Sequence, residues 1–202
     1  MIRLENVSIS YEEQSIIKDL CCSFENDHIY AISGASGIGK TTLLNAIAGL
    51  VTLKSGKIVS DHKRISYIFQ EPRLFPWMTA LDNVICACGD ETKAKYYLEL
   101  LLPNSNHKYP HELSGGMKQR VSIARALAYD ADLVLLDEPF KGLDEASKSN
   151  TINIVLKSLS GKTAILVSHD PNEIALASDI YLMETSPVTK LIKVKSGTDP
   201  TE

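Results

Sequence analysis

The run Gly34-Ala35-Ser36-Gly37-Ile38-Gly39-Lys40-Thr41-Thr42 fits the spacing G-x-x-x-x-G-K-[ST], a pattern that cradles phosphate. Its glycines let backbone N–H groups curl around an anion without Cβ obstruction, and the helix that follows aims its positive end at the same point. Lys40 would reach the β- and γ-phosphates of a nucleoside triphosphate, and the Thr41 hydroxyl would ligate Mg²⁺, a hard ion that prefers oxygen. A second candidate is Asp137-Glu138, which directly follows the apolar run Leu133-Val134-Leu135-Leu136. Adjacent carboxylates at a strand end point to different sides. Asp137 is placed to hold Mg²⁺ beside Thr41, and Glu138 to orient or deprotonate an attacking water. A third candidate is His169, just beyond the run Ala164–Val167, where a side chain at the ligand-facing strand end suits a sensor of the γ-phosphate.

Positioning such groups requires strands that end together. Ile29–Ile32, Leu133–Leu136 and Ala164–Val167 read as buried parallel strands, apolar on both faces. Each leads through a polar or glycine-bearing turn into a helical pattern, which predicts an α/β sheet with right-handed crossovers and a ligand at the carboxyl ends of its strands. The expected helices are Lys40–Leu50 and a stretch from about Thr79 to Leu102. A short one after Ser168-His169 would have Asp170 as N-cap, Pro171 at N1 and Glu173 as capping-box partner. The first 25 residues alternate and predict antiparallel strands, which Gly56–Ser60 and Ile65–Phe69 are expected to join. The fold class is therefore α/β: a phosphate-loop NTPase core with a mainly parallel sheet, an N-terminal antiparallel β subdomain and an inserted helical subdomain. One domain is expected over 1–202, with the helical insertion at about 75–128 and a frayed tail at about 196–202.

The stretch His111-Glu112-Leu113-Ser114-Gly115-Gly116-Met117-Lys118-Gln119-Arg120 opens another helix, since Met117, Val121, Ala124 and Leu127 or Ala128 recur at helical spacing. Two glycines in a first turn are costly, at about 1 kcal/mol each against alanine in a helix interior. Their presence implies that something approaches this helix start closely enough to exclude side chains.

Composition limits the partners. With 44% hydrophobic and 23% charged residues the chain can build a core without disulfides or a structural metal. The net charge of -4 argues against nucleic acid as a partner, which would need a dense basic face. Cys21, Cys22, Cys86 and Cys88 lack zinc spacing and are expected to be reduced and mostly buried. No apolar run approaches the roughly 20 residues of a membrane span, and the N-terminus lacks a secretory apolar region. The expected location is therefore the cytosol, with any membrane reached through a partner.

In order, GASGIGKTT, Gln70 after a strand, LSGGMKQR, LVLLDEP and SHD resemble the ATP-binding cassette (ABC) ATPases along nearly the whole chain. The resemblance implies ATP and Mg²⁺ as ligands. It also implies a head-to-tail homodimer, in which each ATP lies on one copy's phosphate loop and is capped by Ser114, Gly115 and Gly116 of the other. The glycines would leave backbone N–H groups bare for a γ-phosphate, and the Ser114 hydroxyl, as N-cap, would donate to a phosphate oxygen. Tyr11 matches the aromatic that stacks on adenine. Gln70 matches the residue that contacts Mg²⁺ and the attacking water and links the site to the helical subdomain. Asp144 matches the aspartate of a loop facing the other copy, and reads equally as a plain N-cap. Phe140-Lys141-Gly142 departs from the small residues usual before Leu143-Asp144, which bears on that contact.

After Gln70, the residues EPRLFPWMTALDNV resemble the cassettes of bacterial importers for nitrate, sulfonates and taurine. The resemblance implies transmembrane permease subunits docking at Arg73, Phe75, Pro76 and Trp77, a solute-binding protein in the full system, and a peripheral place on the cytoplasmic side of the cell membrane. No C-terminal regulatory domain is expected. The alternatives are an exporter cassette or an ABC ATPase outside transport.

Overall fold

The computed structural model describes residues 1–195; the tail expected at about 196–202 lies outside them. The chain divides into two compact units, one made of Met1–Ile65 with the segment from Gly161 onward, the other of Ser66–Ser160. In chain order the elements are β1 (Ile2–Tyr11), β2 (Gln14–Phe24), β3 (Ile29–Gly34), α1 (Lys40–Ile47), β4 (Ser55–Ser60), β5 (Ile65–Ile68), α2 (Ala80–Cys88) and α3 (Glu91–Leu101). There follow α4 (Gly115–Ala128), β6 (Leu133–Asp137), α5 (Glu145–Ser158), β7 (Thr163–Val167), α6 (Pro171–Ile174), β8 (Asp179–Met183) and β9 (Ile192–Lys195).

In the first unit β1 lies between β2 and β4, antiparallel to both. Its buried apolar residues are Ile2 and Leu4, then Val7 and Ile9, so the inward parity of the apolar side chains changes from even to odd. A strand can do this only by inserting a residue. The register shifts between Leu4 and Val7, and Asn6 takes a left-handed φ of 50°, which together make a β-bulge. β3 runs parallel to β7, with Ile29 opposite Ala164 and Ile32 opposite Val167, and parallel to β8 on its other side. β9 closes that edge antiparallel to β8. β8 is missing from the sequence reading because its central residues are half-buried, so it lacks a continuous apolar signature. Helix α1 buries Leu43 and Leu44 completely, each contributing about 1.5–3 kcal/mol of apolar burial. It stops at Ile47, ahead of Gly49 at φ 71°.

In the second unit β5 lies beside β6. Ile65–Phe69 thus does not extend the N-terminal sheet as expected; β4 alone does so. The reason is visible at Ser66, buried with its hydroxyl donating to the Ala126 carbonyl of α4 at 3.1 Å. The expected helix from Thr79 to Leu102 is two helices. Gly89, at φ 67°, ends α2, and the Asp90 side chain, accepting from Lys93 N at 3.0 Å, begins α3. The cysteines are free thiols but less buried than expected: Cys21 and Cys86 are exposed, Cys22 and Cys88 half-buried. Cys21 and Cys22 lie on β2, an edge strand. Burial nonetheless pushes the Cys22 thiol up to about 12.

Candidate functional site

In the first unit the phosphate loop leaves the carboxyl end of β3 and enters α1. Two of its glycines are required by the chain's own packing. A Cβ on Gly34 would stand 2.5 Å from the Met183 carbonyl, and one on Gly39 would stand 2.6 Å from Ile16 Cγ2. Gly37 faces open space and needs glycine for its φ of 75°. Ala35, Ser36 and Gly37 are exposed, so the loop presents its backbone outward, while Ile38 is buried beneath it. Lys40 is only 6% exposed. Its ammonium donates to the carbonyls of Gly34 and Ala35, each at 2.8 Å, which satisfies a buried cation and holds it within the loop it would serve. Thr41 is exposed and Thr42 half-buried at the start of α1.

Because β7 pairs with β3 in parallel, Ser168 and His169 leave the same sheet end as the phosphate loop. His169 is exposed there. The segment behind it is fixed by a small relay. Ser168, fully buried, donates to Glu173 at 2.6 Å and accepts from Asp170 N at 3.0 Å, and Asp170 caps α6 through Asn172 N. The carboxylate expected to close a capping box thus acts on the N-cap through a serine hydroxyl. Tyr11 is exposed at the end of β1.

The second unit holds the carboxylates. Asp137, the last residue of β6, is 2% exposed. Glu138 is half-buried and takes a left-handed φ of 48°, a conformation that costs a non-glycine residue on the order of 1 kcal/mol. Burial and the Asp137 carboxylate together hold the Tyr67 phenol well above its ordinary range, so Asp137 lies close to β5. Gln70 follows β5 in an exposed bend. Its flanks are pinned: Tyr67 and Phe69 stack with ring centroids 4.0 Å apart, and the Arg73 guanidinium lies 3.9 Å over the Phe69 ring.

Helix α4 starts as the sequence implied. Ser114 is the N-cap, accepting from Met117 N at 3.3 Å, which leaves its hydroxyl proton to donate elsewhere. Ser114 and Gly115 are exposed. The two glycines differ. A Cβ on Gly116 would meet the Gly142 carbonyl at 2.9 Å, whereas among the described residues nothing lies within 4 Å of one on Gly115. Asp144 is the N-cap of α5, accepting from Ser147 N at 2.9 Å, and that bond holds its carboxyl below the usual carboxylate range. Phe140, the departure noted above, is buried and serves the unit's own interior.

Sequence reasoning passed over three side chains that fix these loops. Asn83, 0% exposed, accepts from Phe75 N and donates to the carbonyls of Phe75, Met78 and Thr79. Arg125 donates to the carbonyls of Pro72 and Arg73 at 2.9 and 3.0 Å. Gln119 donates to the Pro139 carbonyl at 2.8 Å. For Asn83 a signal existed: it shares the inward stripe of α2 with Ala80 and Val84, and a polar group on such a stripe must be bonded. Between these clamps Trp77 stands 70% exposed, with Phe75 beside it at 5.6 Å between ring centroids.

A phosphate loop on β3, a buried aspartate ending β6 and a serine-glycine helix start define an ATP-binding cassette. The profile of the ABC transporter family matches residues 17–141, and the chain belongs to that family. It is 35% identical over 201 residues to an uncharacterized ABC transporter ATP-binding protein of Haemophilus influenzae, covering 94% of this chain and 84% of that one. It is 35% identical to the aliphatic sulfonates import ATP-binding protein SsuB of Corynebacterium glutamicum, covering 92% and 81%. Among solved structures, the cassette MJ0796, a dimer in a post-hydrolysis state bound to ADP and Pi, superposes with a TM-score of 0.85. Its identity is 27%, covering 97% of this chain and all of that one. The protein is an ATPase, the ATP-binding cassette of a transporter, and ATP and Mg²⁺ are its ligands. A threonine hydroxyl, a carboxylate and an amide oxygen, the groups carried by Thr41, Asp137 and Gln70, are each hard donors of the kind Mg²⁺ takes.

Proposed function

We propose that this chain powers import of a small solute of the nitrate, sulfonate and taurine group by closing head-to-tail on a second copy around two ATP molecules. The observation that carries the reading is the start of α4. Gly115 is exposed, and among the described residues no atom would obstruct a side chain there and the first-turn N–H groups of Gly115 and Gly116 carry no acceptor. A helix end of this kind receives an anion, and an ATP already seated on a partner's loop supplies one.

Each nucleotide would lie on Gly34–Thr42 with Tyr11 against the adenine and Lys40 on the β- and γ-phosphates. Ser114, Gly115 and Gly116 of the other copy would cap it. Thr41, Asp137 and Gln70 would hold Mg²⁺, which when bound neutralises phosphate charge. Glu138 would take the proton of the attacking water and His169 would sense the γ-phosphate. The stretch of about 75–128 is a helical insertion in one ATPase domain. It offers Phe75 and Trp77 to transmembrane permease subunits and so places the chain at the cytoplasmic face of the membrane, alongside a system that includes a solute-binding protein. Similarity to sulfonate import cassettes supports the solute class; neighbouring genes for a permease and a solute-binding lipoprotein would test it.

The central test is Glu138→Gln. This variant should bind ATP, lose about 10²–10⁴-fold in turnover, and accumulate as a dimer on a sizing column with MgATP. Native turnover, or a monomer at saturating MgATP, would overturn the reading.

A further inference from the structure

We propose that Gln119 is a positioning residue for Glu138, tying the start of α4 to the turn that sets the water-activating carboxylate of the same chain. The inference rests on the role given to Glu138 above.

The turn after β6 has a demanding geometry. Glu138 sits at φ 48°, and the next residue is a proline, which offers no N–H to anchor the kink. Neighbouring carbonyls of the turn receive backbone donors: Lys141 N reaches Glu138 O at 3.2 Å, and Leu143 N reaches Phe140 O at 3.3 Å. The Pro139 carbonyl is served instead by the side chain of Gln119 at 2.8 Å. Gln119 is 2% exposed and Pro139 is buried, so no water can replace that donor. The amide therefore holds the peptide that follows Pro139, one residue beyond Glu138, and the fixed φ of the proline passes that constraint back to the carboxylate.

A second contact lies three residues earlier on the same helix. Gly116 packs so closely on the Gly142 carbonyl that a Cβ would stand 2.9 Å from it. Residues three apart share a helix face, so Gly116 and Gln119 grip opposite ends of the segment 139–142 from one side of α4. The first turn of α4 and this segment consequently shift together. A γ-phosphate arriving at Ser114–Gly116 would be felt at the chain's own Glu138, and each copy would ready its carboxylate by capping the other's ATP.

Two substitutions test this. Gln119→Met keeps the length of the side chain and removes the donor. Its kcat should fall roughly 10–100-fold, the scale of a small misplacement, while KM for ATP stays native. A native kcat would overturn the proposal, as would equal changes in kcat and KM with lowered thermal stability. Should Gln119→Met fail to fold, Gln119→Glu decides. A carboxylate cannot donate to a carbonyl, but a protonated carboxyl can, and burial favours that form. Its kcat relative to native should rise as pH falls from about 8 to about 6; a flat ratio would sink the proposal. Glu138→Gln separates the two levels. If it is inactive while Gln119→Met turns over normally, only the positioning role fails. If Glu138→Gln is fully active, the reading beneath it fails.

Discussion

Gly115 and Gly116 are neighbours with different reasons for being glycine. Gly116 is fixed from within, by the Gly142 carbonyl, while a side chain at Gly115 would meet nothing among the described residues. Substitution should separate the two. Gly115→Asp should leave folding and ATP binding by the isolated chain intact, because the added atoms enter open space. It should abolish ATP-dependent dimerisation, because a carboxylate would face the γ-phosphate, and like charges in contact cost several kcal/mol at an interface. Sizing chromatography with MgATP on the Glu138→Gln background checks this. A dimer surviving Gly115→Asp would mean that α4 does not cap the partner's nucleotide.

At the scale of elements, the loop between β5 and α2 is held at both ends by polar side chains. Arg125 holds its first carbonyls and Asn83 its last, and Arg73, in a left-handed conformation at φ 46°, stacks on Phe69. The clamps spend buried polar groups to keep an aromatic pair at the surface. Exposed aromatics held rigidly mark a contact surface, since ordering them costs little further entropy on binding. Trp77 is the chain's single tryptophan, so its emission reports this loop alone. In the free subunit it should quench readily with iodide, and docking on a permease should shift it to the blue. Trp77→Ala should spare the ATPase activity of the free chain and weaken docking by about 2 kcal/mol or more, the loss of a central aromatic anchor. Loss of free-chain activity would contradict a docking role.

At the scale of the whole molecule, the proposed closure makes stability a function of protein concentration. A ligand that binds only the folded state adds about 2.7 kcal/mol at a hundredfold excess over its Kd, whatever the protein concentration. A nucleotide buried between two copies adds a term that grows with the concentration of the chain. The melting temperature of Glu138→Gln in saturating MgATP should therefore rise with protein concentration, measured by calorimetry. The same series on Glu138→Gln with Gly115→Asp should be flat. Equal behaviour of the two would place both halves of each site in one copy.

The sequence by itself determined the chemistry and most of the elements. Strand ends and helix caps are local devices, set by residues a few positions apart, and so the start of α1 at Lys40, the strand ending at Asp137 and the caps Ser114 and Asp170 could be read directly. Strands buried on both faces, β3, β6 and β7, were equally legible because their apolar runs are continuous. Only the tertiary structure decided which sheet β5 joins, where β8 lies, how far the cysteines are exposed, and which side chains hold the loops. Gln119 and Arg125 act on carbonyls 20 to 53 residues away. No short-range pattern encodes such partners, because a buried amide or guanidinium needs only some acceptor nearby, and the folded chain alone settles which one.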